Sequence, residues 1–183
     1  MKKLLLGALV GGIIIFIWQT LSYVIIDLHS KASGYTDKQT EILSFFESKG
    51  LAEGTYLLPR PAPGTSMNEA MDQMKTYSGK PWAKVSYYKE KKENMGMNMI
   101  RGVLANIVMV WLLCWILSKI AAAGFSTYFL ATLSVGLIAF INEPYTLHIW
   151  YPLHDISASL MDALVSWALC GLWLGWWFGR KKA

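Results

Sequence analysis

The chain is poor in charge, in cysteine and in histidine. Only 16% of its 183 residues are Asp, Glu, Lys or Arg, against ~25% in a usual soluble domain. With 54% hydrophobic residues and a positive mean hydropathy, this excludes an ordinary soluble globular protein. The two cysteines, Cys114 and Cys170, each lie inside an apolar run and form no CxxC pair. That excludes a disulfide scaffold and a thiol-exchange site, and both read as small apolar packing residues. No glycine-rich phosphate loop, Ser–His–Asp ordering or zinc-protease helix is present in the sequence. The formal charge of +5 does not point to nucleic acid, because the basic residues are dispersed and many stand at the ends of apolar runs.

Charge is missing above all from long stretches. None occurs from Leu4 to Ile26, between Arg101 and Lys119, or from Ile120 to Asn142. At ~1.5 Å rise per residue, about twenty residues cross a ~30 Å hydrocarbon core. The expected fold is therefore an α-helical integral membrane protein with four transmembrane helices, over residues 4–26, 97–118, 125–142 and 157–178. A small α+β extracytoplasmic insert, residues 27–98, lies between the first two. Residues 143–156 form an aromatic and histidine-bearing link between the last two. Lys2 and Lys3 before an apolar run also fit a secretory signal, but the run exceeds the usual ~7–15 residue core and no small-x-small site follows, so an uncleaved helix is expected.

What is abundant fits this plan. Nine tryptophans and nine tyrosines suit bilayer interfaces, and Trp173, Trp176 and Trp177 read as an aromatic belt. Gly7 and Gly11, and then Gly171, Gly175 and Gly179, recur four apart and mark close helix packing. Gln19, Thr20 and Ser22 are expected to face protein rather than lipid, and Asn106 is the one strongly polar residue inside the second span. Gly124 marks a tight turn before the third.

Within the insert, Thr36 with Gln39, and Ser66 with Glu69, have capping-box spacing. They open expected helices from about Asp37 to Lys49 and onward to Tyr77. Ile42, Leu43, Phe45 and Phe46 would form the apolar face of the first. Met67, Ala70, Met71 and Met74 form a stripe on the second, read as core. Gly54 to Pro59 and Trp82 to Tyr88 read as strands. A core of this size is too small to stand alone, so the insert is expected to pack on the membrane helices or on a partner.

Four spans place Lys2, Lys3, Lys119, Arg180, Lys181 and Lys182 on one side, which the positive-inside rule makes cytoplasmic. Lys84, Lys89, Lys91, Lys92 and Arg101 crowd the other side, but long loops translocate largely regardless of charge. The expected location is the bacterial inner membrane, with both termini cytoplasmic.

The same arithmetic brings all three histidines, His29, His148 and His154, to one membrane face, together with Asp27, Glu143 and Asp155. Asp162 falls inside the fourth helix, where an ionised carboxylate costs ~2–3 kcal/mol at mid-bilayer. It should find a donor such as Arg101, a histidine or an indole N–H. Histidine and carboxylate together bind metals or relay protons. His29, His148, His154 and Asp155 are therefore candidate metal or haem ligands, although the His148–His154 spacing aligns no helical pair. The plain alternative is that these groups satisfy one another and interfacial water. Tyr145, Trp150 and Tyr151 read as interfacial anchors.

The segments IWQTLSYVIIDLH, GTYLLPRP, GKPWAKVSYY and PYTLHIWYP, with Asp162 and Trp167 in the last helix, resemble a set of small uncharacterised bacterial four-helix inner-membrane proteins with an extracytoplasmic insert. The resemblance implies the architecture and no activity. Three functions stay open. One is a non-enzymatic accessory or assembly subunit of a membrane complex, with the bilayer and another membrane protein or a second copy as partners. Another is a small metal- or haem-binding redox protein. The third is an oligomeric small-solute or proton transporter using Asp162.

Overall fold

The computed structural model describes residues 1–120 and 124–179. Four helices are long and apolar enough to cross a membrane: Lys2–Ile25, Met95–Leu117, Phe125–Trp150 and Ile156–Gly179. The basic residues at positions 180–182 lie outside the described residues. The chain forms two compact units, one of residues 1–34 with 94–183 and the other of residues 35–93.

In the first unit the sequence order is α1 (Lys2–Thr20), continued by a π-turn over Leu21–Ile25, then α4 (Met95–Leu117), α5 (Phe125–Phe140), a second π-turn over Ile141–Tyr145, α6 (Thr146–Trp150) and α7 (Ile156–Gly179). Helix α4 packs on α1, α1 on α7, and α7 on α5, while α4 and α5 touch only sparsely. The helices are largely apolar, and on α1 the inner face is the smaller one. On α1, Leu5, Leu9, Ile13 and Ile17 face outward, whereas Gly7, Ala8, Gly11, Gly12 and Ile15 are buried. A soluble bundle would invert this pattern. Where lipid replaces water, large residues gain nothing by turning inward, and small ones let backbones approach.

The glycines show how close that approach is. A Cβ at Gly12 would lie 2.7 Å from the Ile107 backbone, and one at Gly11 2.8 Å from Val110 and 3.1 Å from the Cys170 sulfur. Gly171 receives Phe129, while Gly175 and Gly179 receive Phe125. Both expected glycine faces are thus used within this chain, α1 against α4 and α7, and α7 against α5. Cys114 and Cys170 are free, fully buried members of the same core. Trp173 and Trp177 make specific bonds across the bundle. Their indole N–H groups donate to the Gly7 and Lys3 carbonyls at 3.0 and 2.8 Å, stitching the end of α7 to the start of α1.

The third candidate span runs eight residues beyond the expected end at residue 142, through Pro144 to Trp150. Proline has no N–H and its ring collides with the carbonyl four residues back, so an α-helix should break there. The wider π-turn over Ile141–Tyr145 accommodates the ring without ending the helix. Much of the expected 143–156 link is therefore helical.

The second unit holds α2 (Gln39–Ser48), β1 (Gly54–Leu58), α3 (Met67–Tyr77) and β2 (Ala83–Tyr87). This is the expected order. The strands pair antiparallel, with Gly54 opposite Tyr87 and Leu58 opposite Ala83. The Ser66–Glu69 capping box forms in full, and its hydrogen bonds hold the Glu69 carboxyl below its usual range. The Thr36–Gln39 box does not form. Lys38 is the N-cap, and the Thr36 hydroxyl accepts from the Lys38 N–H instead.

Candidate functional site

Where α1 ends, the π-turn widens the helix and the chain turns back at Asp27, whose φ of 55° is a left-handed conformation. Aspartate tolerates that region better than most residues do. Asp27 is exposed, and the turn accounts for its place here. The turn returns the chain so that His29, only 8% exposed, lies against α7.

The imidazole is held between two carboxylates. Nδ1 is 2.7 Å from Asp155 Oδ2, and Nε2 is 2.9 Å from Asp162 Oδ2. The Trp18 indole N–H donates to the other oxygen of Asp162, Oδ1, at 2.9 Å. Tyr23 stacks flat on the ring, with centroids 3.9 Å apart and planes within 7°. Burial alone would push the His29 pKa down. The hydrogen bonds and negative charges of Asp155 and Asp162 outweigh burial and leave it raised.

One helix supplies much of this. Trp18 reaches Asp162 on α7, and the adjacent Gln19 accepts from the Asn106 amide on α4 at 2.7 Å. Two consecutive residues of α1 thus tie it to two neighbours by polar bonds at one level of the bundle. Both anticipated kinds of donor, a histidine and an indole N–H, do meet Asp162, whereas Arg101 is exposed on α4 and makes no ion pair among the described residues. Ser22 is buried as expected, its carbonyl accepting from the Leu28 N–H.

The four candidate metal ligands do not assemble. Among the described residues no group of three or more His, Cys, Asp or Glu side chains is arranged to hold a metal ion. His29 meets Asp155, but each ring nitrogen already faces a carboxylate on an opposite edge, so the lone pairs do not converge on a common point. His148 stands on α6, where its Nδ1 accepts from the Leu153 N–H at 2.9 Å and fastens the following loop. His154 and Glu143 are exposed. The i,i+6 spacing of His148 and His154 thus spans a helix end and a turn. Sequence reasoning missed Tyr23 and the Gln19–Asn106 bond. The signal for the second was present, since an amide inside a span needs a polar partner.

The second unit presents a different surface. The methionine stripe of α3 is not core: Met67, Met71 and Met74 are 76%, 56% and 50% exposed. Ile42, Leu43 and Phe45 of α2 are exposed as well, and Tyr87, against which Phe46 packs edge-on, is the buried apolar residue of this unit. Two short strands and two short helices cannot enclose two amphipathic faces. A cleft of about 1100 Å³ lies in this unit, with Leu43, Glu47, Glu53, Tyr87, Lys89 and Lys92 in its walls.

Comparison with protein-family models, with curated proteins and with solved structures finds no match for the chain.

Proposed function

We propose that this chain is a multi-pass protein of the bacterial cytoplasmic membrane that serves as a non-enzymatic accessory or assembly subunit of a membrane complex. The observation that carries this reading is the exposed apolar surface of the unit spanning residues 35–93, above all Met67, Met71 and Met74 along one face of α3. Methionine is flexible and polarisable, and suits a surface that adapts to a partner. An apolar face left to water is costly, and such surfaces mark protein or membrane contacts. The glycine faces of the spans give no support for a partner, because they are consumed within the bundle. This supports seeking the partner on the unit of residues 35–93 rather than between the long helices.

In this reading Lys2, Lys3 and Lys119 face the cytoplasm. The unit of residues 35–93 is the part outside the cytoplasm. The test is to extract the tagged full-length protein from its own membrane in mild detergent and identify what co-purifies in stoichiometric amount. A defined membrane protein, lost on Met71→Glu while the helical content is kept, is the expected result. A clean homo-oligomer, unchanged by Met71→Glu, would contradict it.

A further inference from the structure

We propose that Asp155, His29 and Asp162 form a proton-binding site that retains one proton more than a neutral histidine and two ionised aspartates would carry. The argument is a count of hydrogens. Two short nitrogen–oxygen contacts, 2.7 and 2.9 Å, join the ring to the two carboxylates. An ionised carboxylate only accepts, and a neutral imidazole donates from one nitrogen alone. Two contacts therefore need two hydrogens, and a neutral ring supplies one. The second is carried either by the ring, as imidazolium, or by one of the carboxyl groups. Either assignment leaves the three side chains with a net charge of −1. Removing that proton leaves a nitrogen lone pair facing an anionic oxygen at under 3 Å.

The surroundings favour retention. The side chains of His29, Asp155 and Asp162 are 7%, 13% and 17% exposed, so water replaces these bonds poorly. Tyr23 covers a face of the ring. The titratable groups facing the imidazole are Asp155 from the turn before α7, Asp162 from α7, and Tyr23 from the end of α1, while Asp27 in the same turn is exposed. Asp162 is also held from its other side. Its second oxygen receives the Trp18 indole N–H, a donor that cannot accept a proton and pass it on. The centre therefore holds its proton between the two carboxylates. This inference stands independently of the accessory-subunit reading.

The experiment uses the full-length protein in lipid bilayers, with ¹⁵N-labelled histidine and ¹³C-labelled aspartate, followed by solid-state NMR through the neutral and mildly alkaline range. At about pH 8, where an ordinary histidine with a pKa of ~6.5 is neutral, His29 should show two protonated nitrogens, or one together with a protonated carboxyl at 155 or 162. In Asp162→Asn the new amide N–H can donate to Nε2, so the contact survives without the extra proton. The His29 transition should then move to lower pH, while the Trp18 indole signal keeps its hydrogen-bonded shift. A wild-type ring with one protonated nitrogen beside two ionised carboxylates at pH 8 would overturn the proposal. So would a transition that Asp162→Asn and Asp155→Asn both leave unmoved.

Discussion

His29 and Asp162 stand 133 residues apart in the chain and 2.9 Å apart in space. That contact closes the turn after the first span onto the fourth, and it sets an ionisable pair at the point where the chain leaves the bundle. Asp162 satisfies its second oxygen from Trp18 on the same helix that leads to His29. A carboxylate that would be costly in a span thereby becomes the anchor for both ends of a helix exit.

The raised His29 pKa fixes the sign of a stability change with pH. A group whose folded value lies above its unfolded value stabilises fully below the unfolded value, ~6.5 for histidine, and loses that contribution as pH rises through the folded value. The thermal midpoint in detergent should therefore fall from mildly acidic to alkaline pH by more in the wild type than in His29→Gln. Parallel profiles for the two proteins would contradict this.

Truncation and isosteric replacement at Asp162 should differ. Asp162→Ala leaves the Trp18 indole N–H and a His29 nitrogen without an acceptor, and each buried unsatisfied group costs about 1–3 kcal/mol. Asp162→Asn keeps an acceptor for Trp18 and offers a donor to the ring, so its loss should be clearly smaller. Equilibrium unfolding in mixed micelles reads both.

Glycine substitutions should rank by what the new methyl meets. At Gly12 it meets the Ile107 backbone at 2.7 Å, and at Gly136 it would overlap the Trp167 ring. At Gly7 it meets side-chain atoms at 3.2 to 3.3 Å. Gly12→Ala and Gly136→Ala should each destabilise by about 1–3 kcal/mol, as overpacking usually does. Gly7→Ala should cost less, and thermal unfolding of the three variants checks the order.

Polar substitution on the α3 face should leave the fold alone. Met71 is more than half exposed, and exposed positions away from special features usually change stability by under ~0.5 kcal/mol. Met71→Glu should keep the wild-type melting profile and lose only what that face binds.

Much of this layout was legible in the sequence because it rests on short-range rules. Uncharged runs of span length marked three of the helices, the apolar stretch around Asp162 marked the fourth, and Ser66 with Glu69 marked the α3 cap. The need of Asp162 for a histidine or indole donor follows from the cost of a charge in hydrocarbon. What stayed hidden depends on register or on competition between elements. Pro144 reads as a helix end, and only the π-turn around it carries the span on to Trp150. The stacking of Tyr23 on His29 likewise depends on a π-turn, which leaves no periodic mark. The methionines of α3 have core spacing, but periodicity names a face without saying what covers it. Three histidines expected at one membrane face read as a ligand set until backbone geometry sends His148 to cap a loop and leaves His154 exposed.

The most direct test of the join between the first and fourth helices is a double-mutant cycle on His29→Gln and Asp162→Asn, read by reversible unfolding in mixed micelles. Direct contact predicts non-additive effects, with a coupling of about 0.5–3 kcal/mol that shrinks at alkaline pH. Strictly additive effects at every pH would mean that the two side chains do not hold the helices together.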